Sequence, residues 1–221
     1  MEDLAQAFAR RAIERSTTER EAAYVEEIRR LVEAAYRSIA KTGSFDPPMR
    51  DILKAAGLST QAFYRHFRTK DELMLVLLDN GRRRLLEYLD HRMNKVNGTE
   101  GRLRAWIEGV LAQAADPGAA KRTKPFVVNQ DRLAERFPGE QQASFDLLIG
   151  QLTGVLRGFP SGHDRRTLRH DAEAIYHAAF GALRAHLING TRPTSDEIDH
   201  LVRFCLNGAT GARGGSKRQP R

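Results

Sequence analysis

Cysteine is almost missing from this chain: Cys205 is the only one in 221 residues, so no disulfide can form within it. Lying in VRFCLN on an expected helix, that residue reads as a small buried hydrophobe. A chain without internal disulfides suits a reducing compartment. No apolar run approaches the roughly 20 residues needed to cross a bilayer. The opening MEDLAQAF lacks the basic start and apolar stretch of a secretion signal, so a cytoplasmic protein is expected. Catalytic signatures are also lacking. There is no glycine-rich phosphate loop and no HExxH pattern, and Asp171 and His200 have no recognisable nucleophile to complete a triad. His170, Glu173 and His177 share a helical face at spacings that could hold a transition metal, but solvent exposure or subunit contacts explain them more simply. No enzyme activity, cofactor or metal is therefore assigned.

What is present is helical patterning and positive charge. Hydrophobic residues make up 41% of the chain, enough for a core, and the formal net charge of +8 favours a polyanionic partner. The most informative stretch runs from Asp46 to Leu73, DPPMRDILKAAGLSTQAFYRHFRTKDEL. Asp46 can cap a helix with Pro47 in its first position, and Met49, Ile52, Leu53 and Ala56 form an apolar stripe. Gly57 can end that helix and Leu58 can turn inward. Ser59 is placed to cap a second helix, on which Phe63 and Phe67 lie four apart and face the core together. Thr69 with Glu72 makes a capping box for a third helix. This is a helix-turn-helix, whose second helix can enter the DNA major groove. Thr60, Gln61, Ala62, Tyr64, Arg65 and His66 are left toward the outside or its margin. Gln61 can pair with adenine, Ala62 can touch a thymine methyl, and Arg65 can donate to guanine or phosphate, with Thr60 suited to either job. Tyr64, His66 and Lys70 can reach backbone oxygens. For any single residue, solvation or capping is an equally good account.

The pattern GLSTQAFYRHFRTKDEL resembles the recognition segment of the TetR family of one-component bacterial transcription regulators. The resemblance implies that Phe63 and Phe67 are core positions, that Tyr64, His66 and Lys70 contact phosphates, and that Thr60, Gln61, Ala62 and Arg65 lie at or near base edges. Phe63 stands where the family usually has leucine, and Arg65 where an aromatic residue or histidine is frequent.

The expected architecture is all-α, with a small N-terminal three-helix DNA-binding head and a larger C-terminal helical body for ligand binding and dimerisation. Residues 1–17 read as a helical extension, 18–68 as the helix-turn-helix domain, 69–207 as the body and 208–221 as a disordered basic tail. The extension either docks locally or adds phosphate contacts. Helix one proper is expected to start at Thr18, with an inward stripe of Val25, Ile28, Val32, Ala35 and Ile39. A long helix from Thr69 to about Met93 joins head and body. Further helices are expected from Gly101 to Ala115, around Leu133, from Glu140 to Leu156 and from Arg165 to Asn189, followed by one capped by Thr194 and Glu197. Pro125 argues for a bend, and Gly158 to Gly162 for a loop. The tail GATGARGGSKRQPR has no apolar stripe and either solubilises the end or adds weak attraction to DNA.

Trp106, Phe126, Phe145, Leu148, Tyr176 and Phe180 could line an apolar effector pocket, although each also suits an ordinary core. Ala178, Gly181, Ala182, Ala185, Leu201 and Cys205 could form a homodimer interface through the last two helices, the arrangement the family resemblance implies. The expected function is a homodimeric, sequence-specific transcriptional regulator, more often a repressor in this family, released from a palindromic operator by a hydrophobic small molecule. An activator, a constitutive structural DNA binder and a metal-binding helical protein are the alternatives.

Overall fold

In a computed structural model, the chain is all-helical over the residues the structure describes, 4–159 and 165–210. It divides into a unit of residues 1–77 and a unit of residues 78–221.

The first unit is built on α1 (Leu4–Thr42), α2 (Met49–Ala56), α3 (Thr60–His66) and the start of α4 (Lys70–Asn94). Neither glycine nor proline occurs within α1, and the helix passes through Thr18 without a break. The capping box expected there does not start a helix, because nothing upstream ends one. Gly43 closes α1 with φ of 69°. Leu31, Val32, Ala34, Ala35 and Ile39 carry its buried face, whereas Val25, expected in that stripe, is exposed. They pack with Ile52, Leu53, Phe63, Phe67, Leu73 and Met74 as the head core. The α2 N-cap is Pro48, with no side-chain cap bond. Asp46, expected to cap it, instead lies 2.5 Å from Lys70 Nζ.

The second unit surrounds α5 (Thr99–Ala115), whose Leu103, Trp106, Ile107 and Val110 are fully buried. Around it lie the later part of α4, α6 (Pro117–Val128), α8 (Pro138–Leu156), α9 (Arg165–Asn189) and α10 (Ser195–Thr210), with α7 (Gln130–Arg136) against α6 and α8. Several chain breaks are helix starts. Asp116 accepts from the Ala119 amide at 2.6 Å and Pro117 opens α6, while Pro138 opens α8. Proline lacks only a donor that the first turn leaves unpaired anyway. Pro125 lies inside α6 rather than at its end, and the expected short helix containing Leu133 follows as α7. Helix α6 ends one turn later, where Arg184 donates to the Val127 carbonyl at 2.8 Å. Thr194 and Glu197 form the expected capping box, Thr194 N–H donating to Glu197 Oε2 at 2.7 Å and Glu197 N–H to Thr194 Oγ1 at 3.2 Å.

Helix α10 runs to Thr210, beyond the tail boundary set at 208. Ala209 is buried and continues the stripe of Val202 and Cys205. The rest of the basic tail, residues 211–221, most of the 158–162 loop and the side chains of the 1–17 extension lie outside the described residues.

Candidate nucleic-acid interface

The turn between α2 and α3 is fixed from both sides. Gly57 takes φ of 63° and ψ of 39°, the left-handed conformation that an L side chain adopts at a cost. The Arg30 side chain of α1 donates through Nε to the Ala56 carbonyl at 2.9 Å and through Nη2 to the Gly57 carbonyl at 3.0 Å. A Cβ on Gly57 would lie 2.8 Å from that guanidinium, a second reason for glycine. Arg30 was not singled out by sequence. Its role depends on a contact across 26 positions, which no local pattern announces.

Helix α3 then starts where expected. Ser59 Oγ accepts from the Ala62 amide at 3.1 Å, an N-cap interaction worth about 1 kcal/mol in general. Phe63 and Phe67 bury together, ring centroids 5.5 Å apart. Opposite them, Thr60, Gln61, Tyr64 and Arg65 are exposed, Tyr64 by 61%. The next helix opens on its capping box, with the Glu72 amide on Thr69 Oγ1 at 3.2 Å. The Glu72 carboxylate reaches back to the Arg68 amide at 2.6 Å, one residue before the expected position.

Two placements correct the sequence reading. Ala62 is 6% exposed, so its methyl faces the core and not outward. The His66 side chain is 4% exposed, with Nε2 lying 2.5 Å from Glu27 Oε2. Arg65 is exposed, but its Nη2 also donates to that carboxylate, at 3.1 Å. The hydrogen bond to His66, then the Arg65 charge, holds the Glu27 carboxyl below its ordinary value. Sequence inspection missed Glu27 because its partners lie 38 and 39 positions away.

In the second unit, four of the six proposed ligand residues form a chain of aromatic contacts. Tyr176 stacks on Phe180 at 4.4 Å, Phe145 meets Tyr176 edge-on at 5.0 Å, and Trp106 lies 6.3 Å from Phe180. Burial pushes the Tyr176 phenol pKa up. Leu148 is buried beside them and Phe126 is half-buried. Trp106 Nε1 donates to Gln151 Oε1 at 3.3 Å, and Gln151 Nε2 donates to the Leu86 carbonyl of α4 at 3.1 Å.

Of the six proposed interface residues, Gly181 and Ala185 are exposed, and Ala178, Ala182 and Leu201 are half-buried. Cys205 faces its own chain's core at 4% exposure, so it does not belong to an outward face. Burial pushes its thiol pKa up to about 11. Ile188 and Phe204, missed by the sequence reading, are exposed by 50% and 67% on these two helices. Among the described residues no group of three or more His, Cys, Asp or Glu is placed to hold a metal ion. Glu173 pairs with Arg169 at 2.8 Å and His177 packs beside Phe145. No helix among the described residues is long and apolar enough to cross a membrane.

Residues 31–77, spanning the last part of α1 through the start of α4, match the model of the bacterial regulatory proteins of the tetR family. The chain has the TetR-family fold. A TetR-like transcriptional regulator from Rhodococcus sp. RHA1 is 20% identical, with a TM-score of 0.65 covering 84% of this chain and 96% of the other. The fatty acid degradation regulator FadR from Bacillus halodurans is 17% identical, with a TM-score of 0.63 over 86% and 97%. A TetR transcriptional regulator from Legionella pneumophila is 18% identical, with a TM-score of 0.58 over 80% and 94%. The TetR-family fold thus extends well beyond the matched segment, over most of this chain.

Proposed function

We propose that the chain is a homodimeric, sequence-specific DNA-binding transcriptional regulator, acting in the cytoplasm as a repressor that an apolar small molecule releases from DNA. The observation that carries the reading is the outward face of α3. Thr60, Gln61 and Tyr64 stand exposed on a capped helix directly after a pinned turn, within the segment the family model matches. In this reading Thr60 and Gln61 meet base edges in the major groove. Tyr64 and Lys70 meet phosphates, Lys70 exchanging the Asp46 carboxylate for a phosphate oxygen.

Dimerisation through α9 and α10 is supported by their exposed apolar residues. Gly181, Ala185 and Ile188 follow one another at helical spacing on α9, and exposed Phe204 lies one turn from half-buried Leu201 on α10. A two-fold dimer would present two copies of α3 to a palindromic site.

The effector reading is supported by the aromatic chain around Tyr176. Trp106 also connects through Gln151 to the backbone of α4, the helix that continues from the first unit into the second. A ligand displacing the Trp106 ring would act on that bond. Ligand binding shifts DNA affinity only if the two conformations bind ligand differently. A fatty-acyl or aromatic compound suits side chains of this chemistry, and one protein of similar fold is named for fatty acid degradation.

The test is selection of duplexes from a randomised library by the full chain. Gln61→Ala is expected to relax one position of the selected site by about 1–3 kcal/mol of discrimination. Tyr64→Ala is expected to weaken selected and unselected duplexes alike. Broad binding without an enriched sequence would refute the regulator reading. A compound that saturates the body and leaves operator affinity unchanged is not the inducer.

A further inference from the structure

Helix α3 is seven residues long, well below the roughly 12–15 that an isolated helix needs in water. Its aim is therefore set by what holds its sides. Ala62 and Phe63 fix the inner side in the core. The last turn is held by Tyr24 and Glu27, three apart on α1. The Glu27 carboxylate meets His66 Nε2 at 2.5 Å and accepts from Arg65 Nη2 at 3.1 Å. The His66 ring lies edge-on to Tyr24 with centroids 5.3 Å apart, and the Arg65 guanidinium carbon lies 5.9 Å from the Tyr24 ring centre. One carboxylate thus holds both basic groups of this turn.

We propose that Glu27 is a positioning residue that sets the specificity of the reading helix, fixing the last turn of α3 through His66 and holding Arg65 off the phosphate backbone. The inference rests on the DNA-binding reading above. A partly exposed ion pair adds little stability of its own, so the value of the arrangement lies in geometry. An arginine free at this edge would add a phosphate contact to any duplex. Such contacts strengthen binding without reading sequence. Restraining it lowers non-specific affinity while the contacts of Gln61 are untouched, and the ratio between right and wrong sites rises.

The experiment uses the full chain, a duplex selected by the wild type and a scrambled duplex, each titrated over a range of salt. Four proteins are compared: wild type, Glu27→Gln, Arg65→Ala and the double variant. In Glu27→Gln, affinity for scrambled DNA is expected to rise several-fold and its salt slope to steepen by about one, the release expected for one added phosphate contact. The ratio between selected and scrambled duplexes falls. In the Arg65→Ala background, Glu27→Gln no longer raises scrambled-DNA affinity. A folded Glu27→Gln protein with wild-type ratio and salt slope would overturn the proposal. So would a gain that persists undiminished without Arg65, since loss of a long-range negative charge would then explain it. Arg65→Ala alone gives an arm that leaves His66 and the core in place. A tenfold loss on every duplex would place Arg65 on the phosphates already and overturn the proposal. A wild type that enriches no sequence fails earlier, and that result sinks the DNA reading itself.

Discussion

Gly109 and Gly150 make opposite predictions for the same substitution. Both lie inside helices, α5 and α8, where alanine is intrinsically better than glycine by about 1 kcal/mol. A Cβ on Gly109 would stand 2.7 Å from Leu89 Cδ2 and 3.2 Å from Arg92 Cδ. Leu89 is fully buried and has nowhere to retreat. Overpacking of this kind generally costs about 1–3 kcal/mol. Set against the helix gain, Gly109→Ala should be neutral to destabilising by roughly 2 kcal/mol. A Cβ on Gly150 meets nothing within 4 Å, so Gly150→Ala should stabilise by about 1 kcal/mol. The two variants should therefore differ by about 1–3 kcal/mol, which is the clash alone. Trp106 is the only tryptophan and is fully buried one turn from Gly109, so its fluorescence during urea unfolding reports this unit. Gly109→Ala matching Gly150→Ala, or exceeding it in stability, would refute the α4–α5 packing described above.

The Glu27 carboxyl is held below the 4.5 of a free glutamate, chiefly by the His66 hydrogen bond, so its contribution to stability is present above that pH and lost as pH falls through the lowered value. An acid titration of head stability should therefore show a limb below pH 4.5 that Glu27→Gln flattens; an unaltered limb would assign it to other carboxylates. Cys205, with its thiol pushed up to about 11 by burial, should resist a thiol reagent at neutral pH in the native protein and react after denaturation. Rapid native labelling would contradict its buried position. Phe204→Glu should leave the helical content intact and convert a dimer to monomers in sedimentation, whereas an undisturbed dimer would move the interface off the exposed face of α10.

The helix class, the helix-turn-helix and most of its caps were legible in the sequence because they depend on neighbours within four residues. Ser59, Gly57, the Thr69 and Glu72 pair, and the Thr194 and Glu197 pair act on adjacent backbone, so spacing alone announces them. Phe63 and Phe67 were legible for the same reason, since four residues make one helical turn. Proline was harder to read. Pro117 and Pro138 each open a helix, and Pro125, where a bend was expected, is accommodated inside one.

Side-chain partners across the fold were decided only by tertiary structure. The composition of α3 offers Arg65 and His66 as equals of Gln61 and Tyr64. Only the packing of α1 against it turns those two toward Glu27 and leaves the others facing solvent. Arg30 on the α2 turn, Asp46 on Lys70 and Gln151 between Trp106 and Leu86 were invisible for the same reason. Hydrophobic periodicity says which face of a helix is buried, and nothing about what lies opposite. A polar side chain's role depends on which distant group arrives within about 3 Å of it, and that distance exists only once the helices have packed.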